Sequence, residues 1–238
     1  SLVKKLTAIS GINEVAMTTN GILLPEMIDD LKDAGLSRIN ISLDTLDPEK
    51  YRTVTRMGEL GDALKGIRAA LDSGLPIKIN TVLIGGFNDD EIPDLVALTK
   101  KYPIEMRFIE LMPMRGQVFP KDAFISCGEV LNAVPELKRE GRKGSATVYS
   151  LSGSVGKVGL IGPLSDSFCA SCNRIRLTAD GKLKPCLHSS DEIDINGLHG
   201  DELTGALKEA IMKKPACHGE LSFKNESMSK RSMNAIGG

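Results

Sequence analysis

The chain is 238 residues long, 41% hydrophobic and 26% charged, a globular composition with enough length for a sizeable core. Thirty Lys and Arg face 31 Asp and Glu, a net charge of −1. No general field therefore holds the protein to nucleic acid or to a membrane surface, and any anion site must be local.

Ser1-Leu2-Val3-Lys4-Lys5-Leu6 has the pattern of a helix interior. With no initiator Met and no signal peptide, the chain is expected to begin inside a longer protein. Glu14 to Met17 reads as a short strand ending in the polar turn Thr18-Thr19-Asn20-Gly21. Pro25 opens a helix carrying Met27, Ile28, Leu31 and Ala34, and Gly35 stops it. Arg38 to Asp44 is the next strand, and helical stretches follow from Pro48 to Arg56 and from Leu60 to Gly74. Ile77 to Ile84 is a strand, Asp89 to Lys101 a helix, and Ile104 to Leu111 a fourth strand. Strand–helix–strand units in series imply a parallel sheet, and ligands gather at the C-terminal ends of such strands. No GxGxxG or Walker loop is present, so a Rossmann nucleotide site has no support. No run of 18 apolar residues spans a bilayer.

Beyond Pro113 the character changes. Gly128 to Leu137 reads as a helix, Arg139 to Gly162 as short strands and turns, and Arg174 to Pro185 as a hairpin turning at Asp180-Gly181. Asp201 caps a last helix. The chain closes on Ile236-Gly237-Gly238, a motif that would ordinarily fray.

Five cysteines are few and odd in number, which argues against a disulfide framework and for a reducing cytoplasm. Cys169-Ala170-Ser171-Cys172 is a CxxC, and Cys186 follows across the hairpin with thirteen residues between. Three thiolates converging on one point make a metal site. Spacing leaves two readings open: structural zinc with His188 as fourth ligand, or an iron–sulfur cluster. Cys127 and Cys217 lack partners in the pattern and read as inert. Arg174 and Arg176 alternate onto one strand face beside the thiols, where two guanidiniums suit phosphate or a nucleobase edge. Lys78 and Arg107 stand inside apolar strands and need a partner or a ligand; a salt bridge to Glu105 or Glu110 would satisfy them without any function.

Met17-Thr18-Thr19-Asn20-Gly21, Arg38-Ile39-Asn40-Ile41-Ser42-Leu43-Asp44 and Arg107-Phe108-Ile109-Glu110-Leu111-Met112 occur in that order. They are followed by Phe168-Cys169-Ala170-Ser171-Cys172-Asn173-Arg174-Ile175-Arg176-Leu177, by Asp180-Gly181-Lys182, by Cys186-Leu187 and by the terminal Gly237-Gly238. Along its whole length the chain resembles the molybdenum cofactor biosynthesis protein A family, the radical-SAM GTP 3',8-cyclases. The resemblance implies an α/β fold, an incomplete TIM-like barrel of parallel strands closed on one side by a C-terminal cluster-binding region. Residues 1–112 would be the barrel portion, and 113–238 the cluster- and GTP-binding region with its glycine tail. It implies cleavage of S-adenosylmethionine at an N-terminal 4Fe–4S cluster, hydrogen abstraction from the 3' carbon of GTP, and closure onto C8 to give 3',8-cyclo-7,8-dihydro-GTP. A second protein, the cyclic pyranopterin monophosphate synthase, then takes the product; an electron donor is required, and a homodimer is compatible.

Carried over by position, Cys169, Cys172 and Cys186 resemble the ligands of a C-terminal 4Fe–4S cluster with one iron open to substrate. Thr18, Lys78, Arg174, Ile175 and Arg176 resemble GTP contacts, with Arg107 a further candidate. Ser42 and Met112 resemble S-adenosylmethionine contacts, and Gly237 and Gly238 resemble a catalytic tail that only glycine could thread close to substrate. The family's CxxxCxxC loop, which carries the other cluster, has no counterpart in these residues, and the polypeptide as written is expected to be inactive. Two rivals remain at this stage: another radical-SAM enzyme with an auxiliary cluster, and a zinc-stapled binding module that is not an enzyme.

Overall fold

Alternation at period two in the central strands sets one apolar and one polar face, and the architecture follows from it. The computed structural model describes residues 1–115, 119–219, 221 and 227–236, without the side chains of residues 121 and 234. The chain divides into two compact units, Ser1–Leu111 with Phe124–Gly162, and Met112–Ala123 with Pro163–Gly238.

In the first unit, α1 (Leu2–Thr7) precedes β1 (Ala16–Thr19), α2 (Leu24–Asp33), β2 (Arg38–Ser42), α3 (Pro48–Thr55), α4 (Leu60–Ser73) and β3 (Ile77–Leu83). α5 (Ile92–Lys101), β4 (Ile104–Glu110), α6 (Gly128–Ala133), β5 (Lys138–Lys143), β6 (Ala146–Ser150) and β7 (Lys157–Ile161) complete it. One mainly parallel sheet has the order β1-β2-β3-β4-β7-β6-β5. β1 to β4 and β7 run parallel, and β6 and β5 return antiparallel. The fold is therefore mixed α/β, as expected for the strand–helix series. The sheet runs on past residue 112, because β7 pairs with β4.

Ile39, Ile41, Ile77, Ile79, Leu83, Ile104, Met106 and Phe108 point to the helices and join Leu24, Ile28, Ala63, Ile67, Leu95 and Val130 in one core. Parallel strands are normally apolar on both faces. Here the residues between them in sequence, Asn40, Lys78, Asn80, Glu105 and Arg107, are polar and half-buried. That second face is the part of the unit that positions chemistry.

Several boundaries differ from the sequence expectation. The first strand starts at Ala16 and takes in Thr18 and Thr19, rather than ending at Met17. Residues Asp89–Glu91 form a 3-10 turn, and α5 begins at Ile92. The Glu91 carboxylate is held by the Thr45 hydroxyl and the Leu46 N–H, both at 2.6 Å, and Pro93 suits a new helix start. The helix expected to reach Leu137 stops at Ala133, since the residue before Pro135 is pushed out of the helical region. Asp201 lies in the first turn of its helix, not at the cap, which is His199.

Among its described residues the second unit holds a small antiparallel sheet in the order β10-β9-β8, from β8 (Arg176–Leu177), β9 (Lys182–Lys184) and β10 (Ile193–Asp194), and the α-helix α7 (Gly200–Met212). The Asp180-Gly181 turn forms as expected, with Gly181 at φ +78°, a conformation that favours glycine. Lys184 is fully buried and survives because its ammonium donates to the Ser189 carbonyl at 2.7 Å and pairs with Glu192 at 3.4 Å. Arg231 clamps Glu192 and Asp180 together with four hydrogen bonds of 2.6–2.9 Å. The expected glycine tail, Gly237 and Gly238, lies outside the described residues.

Candidate active-site residues and thiol cluster

On the polar face of the first unit, register builds two rows across the sheet. Thr18 stands opposite Asn40, Asn40 opposite Lys78, and Lys78 opposite Glu105. One step towards the strand C-termini, Ser42 stands opposite Asn80, Asn80 opposite Arg107, and Arg107 opposite Gly159. Three of the residues expected to bind ligand from this part of the chain are thus in or beside one another's rows, and Ser42 shares the face. Asn40 donates to the Thr18 hydroxyl at 3.2 Å. Glu105 serves both cations, accepting from Arg107 Nε at 2.5 Å and pairing with Lys78 Nζ at 3.2 Å. The salt-bridge partner foreseen for these cations is present, and it orients both on the same face. Gly159 leaves the room: a Cβ there would stand 3.2 Å from Arg107 Cγ and 3.3 Å from Glu105 Oε1.

Electrostatics follow from this packing. Burial and the Arg107 charge push the Lys78 ammonium below its usual value, against the opposing pull of Glu105. Burial raises the Glu105 carboxyl, but Arg107 and Lys78 outweigh it and hold the group below the ordinary range. The carbonyl oxygens of Asn40 and Asn80 are buried with no hydrogen-bond partner among the described residues. Orphan buried acceptors carry an energetic penalty, so this face offers two acceptors, two cations and two hydroxyls to an incoming polar ligand. The two asparagines were not singled out in the sequence; their alternation with isoleucines on β2 and β3 was the available signal.

In the second unit, Cys169–Ser171 form a single 3-10 turn that closes with Cys172 N–H on the Cys169 carbonyl at 3.0 Å. That turn sets both thiols of the CxxC on one loop. Lys214, from just beyond α7, donates to Cys172 Sγ at 3.5 Å, to the Pro185 carbonyl at 3.1 Å and to the Arg174 carbonyl at 2.8 Å. One ammonium therefore draws the segment at Cys186 alongside the CxxC, and sequence spacing had not indicated it. Cys172 and Cys186 both act on the Arg176 guanidinium, which burial and Arg174 push below its usual value and the two thiols pull back up.

Arg174 and Arg176 do not share a strand face, contrary to expectation. β8 begins only at Arg176, so Arg174 precedes it, exposed and over the Phe168 ring at 5.7 Å. Arg176 is half-buried and donates to the Ile236 carbonyl at 3.2 Å, the residue just before the double glycine. Ile175 between them is exposed, and Met112 is half-buried two residues past β4.

Cys127 is buried in the first unit, with Sγ 3.4 Å from the Ile161 carbonyl, and plays a structural part. Cys217, expected to be inert, is not isolated: Cys169, Cys217 and His218 present ligand atoms all within 4.8 Å of one another. His188, the zinc ligand of the alternative reading, is not among the three grouped ligands, although it lines the same cavity as Cys186, Cys217 and His218. The His188 Nδ1 meets the Ser227 hydroxyl at 3.1 Å, and burial first, then the neighbouring positive groups, lower its pKa to about 4.

Comparison with known proteins places these observations. Residues 1–99 match the model of the Radical SAM superfamily, and residues 104–220 match Molybdenum Cofactor Synthesis C. A GTP 3',8-cyclase of Peptoclostridium acidaminophilum is 50% identical over 245 residues, covering 100% of this chain and 74% of the relative. Those of Alkaliphilus oremlandii (strain OhILAs) and Moorella thermoacetica are 49% and 43% identical, covering 99% and 100% of this chain and 76% of each relative.

Proposed function

Since the chain belongs to the GTP 3',8-cyclase family of radical-SAM proteins, we propose that it works in the radical cyclisation of GTP to 3',8-cyclo-7,8-dihydro-GTP, an early step towards the molybdenum cofactor. The observation that carries this reading is the agreement with the curated cyclases from one end of the chain to the other. The mainly parallel sheet with a polar second face supports an incomplete TIM-like barrel, whose interior would be that face.

Residues 1–112 supply the barrel-side contacts. Thr18 and Lys78, with Arg107, are assigned to GTP, and Ser42, with Met112 at the edge of this region, to S-adenosylmethionine. The Glu105 carboxylate holds both cations towards the same face, and the orphan oxygens of Asn40 and Asn80 favour a ligand that donates N–H or O–H there. Residues 113–238 supply Cys169, Cys172 and Cys186 for a 4Fe–4S cluster, with Arg174, Ile175 and Arg176 for GTP and Gly237 and Gly238 for the tail.

The donor chemistry suits such a cluster: three soft thiolates, with Lys214 against Cys172 and Arg176 within reach of Cys172 and Cys186. The three sulfurs do not gather within 4.8 Å of one another, contrary to the expectation from spacing. Bound there, the cluster would offer an open iron to the guanine. Arg176 also holds the carbonyl at the root of the glycine tail. The S-adenosylmethionine-cleaving cluster is different, because the 238 residues contain no CxxxCxxC, and no residue here is assigned to it. All five cysteines are free thiols, which suits the cytoplasm, where an electron donor and the synthase that consumes the product would act. Among the described residues no helix is long and apolar enough to cross a membrane.

The test is ligand titration of the enzyme carrying both clusters. GTP brings a triphosphate to a chain of net charge −1, so local cations must hold it, each charge-assisted bond contributing about 1.5–3 kcal/mol. Arg174→Ala or Arg176→Ala should weaken GTP binding roughly ten- to a hundred-fold and leave S-adenosylmethionine binding unchanged. Arg→Lys should rescue only in part, since it loses the planar fork. GTP affinity within two-fold of wild type at normal iron content would overturn the assignment.

A further inference from the structure

Cys217 and His218 have no part in the cluster assignment, yet they stand with Cys169 as the one group of three metal-ligating side chains found among the described residues. We propose that Cys169, Cys217 and His218 form a mononuclear site for a borderline-soft divalent cation of the zinc type, and that occupying it excludes the cluster because both require Cys169. The metal site goes beyond the cyclase reading and stands without it; its exclusion of the cluster rests on that reading's assignment of Cys169.

Geometry supports the site. Their three ligand atoms lie within 4.8 Å of one another. A zinc ion with Zn–S of about 2.3 Å and Zn–N of about 2.0–2.1 Å needs tetrahedral ligands roughly 3.5–3.8 Å apart, so about an ångström of closure suffices. A cubane instead binds each thiolate to a different iron, so its ligands need not crowd a single point. The donor set, two thiolates and an imidazole, is that of a zinc site with an open fourth position.

The imidazole is also prepared for a metal. His218 Nδ1 lies 2.9 Å from the Gly219 carbonyl. A carbonyl only accepts, so Nδ1 carries the proton and Nε2 keeps its lone pair, which is how backbone carbonyls usually orient metal-binding histidines. The His218 backbone N–H is directed to the Cys169 sulfur, which fixes the spacing of the pair. Cys217 and His218 line a cavity of about 300 Å³ together with Cys186 and His188, giving a cation a way in and a fourth ligand, water or a small anion, a place to sit. The His188 ring packs edge-on against His218 at 5.2 Å and buttresses it.

The experiment uses the whole chain, anaerobic and kept reduced with a phosphine, titrated with Co2+ as a spectroscopic stand-in for zinc. Wild type should take up one equivalent with thiolate-to-cobalt charge-transfer and tetrahedral d–d bands, both removed by Zn2+. Cys217→Ser and His218→Ala should each weaken Co2+ binding at least tenfold, whereas Cys172→Ser and Cys186→Ser should leave it in place. Circular dichroism shows whether each variant is folded, and Cys217 is exposed, so its replacement is tolerated. Iron and sulfide uptake should show the reverse pattern: lost in Cys172→Ser and retained in Cys217→Ser. Zinc loaded first should suppress cluster reconstitution in wild type but not in Cys217→Ser. Cobalt bands unchanged in both Cys217→Ser and His218→Ala, or abolished by Cys172→Ser, would overturn the site. Failure of iron uptake with the cobalt site intact would count against the cluster assignment alone.

Discussion

Glu105 shows how one carboxylate can decide what two cations do. Its oxygens divide between Lys78 and Arg107, and all three side chains are about one-seventh to one-sixth exposed. Glu105→Gln removes the charge while keeping the shape, and leaves an ammonium and a guanidinium facing each other. The loss should be about 1.5–3 kcal/mol of stability, the range for a hydrogen bond to a charged group, read as a lower denaturant midpoint at unchanged slope. The freed cations should also change GTP affinity, whereas a purely structural Glu105 would shift the midpoint and leave binding alone. At the same scale, Cys217 shows what a residue list misses. The Cys-His dipeptide gives no spacing signal by itself, and only the return of the chain past α7 sets it against Cys169.

At the scale of elements, close approach rather than propensity sets α4. Gly66 lies within that helix, where glycine is normally about 1 kcal/mol worse than alanine. A Cβ at Gly66 would fall 1.9 Å from the Gly21 carbonyl oxygen, which is backbone and has no rotamer to escape into. Gly21 is itself at φ +85°, so the turn after β1 has little freedom to retreat. The steric term wins: Gly66→Ala should destabilise the first unit by about 1–3 kcal/mol, the usual cost of overpacking. Gly205, exposed in α7 with open space where its Cβ would go, should show the opposite sign, with Gly205→Ala gaining up to about 1 kcal/mol. Thermal unfolding of the two variants checks both signs, and a stabilised Gly66→Ala would refute the close-approach account.

For the molecule as a whole, the acid limb of stability should come from carboxylates held by cations. Arg231 holds Asp180 far below the usual carboxylate range, and with Lys184 it lowers Glu192; Lys78 and Arg107 lower Glu105 in the first unit. A carboxyl whose folded pKa is depressed binds fewer protons folded than unfolded. Its stabilisation is therefore complete above the unfolded values, about 3.9 for Asp and 4.3 for Glu, and is lost as pH falls through the folded ones. The first unit should hold a constant midpoint from neutrality to about pH 5 and weaken below the unfolded carboxyl values. The second should begin to weaken below about pH 6.5, because burial holds His188 at about 4 and only its unfolded form takes up a proton there. Arg231→Ala should start lower at pH 7 and fall less steeply in acid, because Asp180 and Glu192 return towards ordinary behaviour. Parallel pH profiles for wild type and Arg231→Ala, followed by circular dichroism, would rule out this network as the source.

Local chemistry alone determined a good deal. The order of strands and helices through residue 110, the Asp180-Gly181 turn and the family itself were legible from apolar period, glycine and proline placement, and a CxxC run with distinctive neighbours. These signals act over a few residues, so they are written in the linear pattern even where a distant contact later shifts a boundary. Tertiary structure decided which side chains share a site. Parallel register, invisible in any one strand, put Lys78 opposite Glu105 and Asn80 opposite Arg107. Glu91, drawn to Thr45 and Leu46, broke the helix expected at Asp89. Lys214, 28 residues beyond Cys186 in the chain, reached back to Cys172, and Cys217 and His218 came to rest beside Cys169. Such pairings depend on loop closure and on burial that two distant segments gain only together, and a linear pattern records neither.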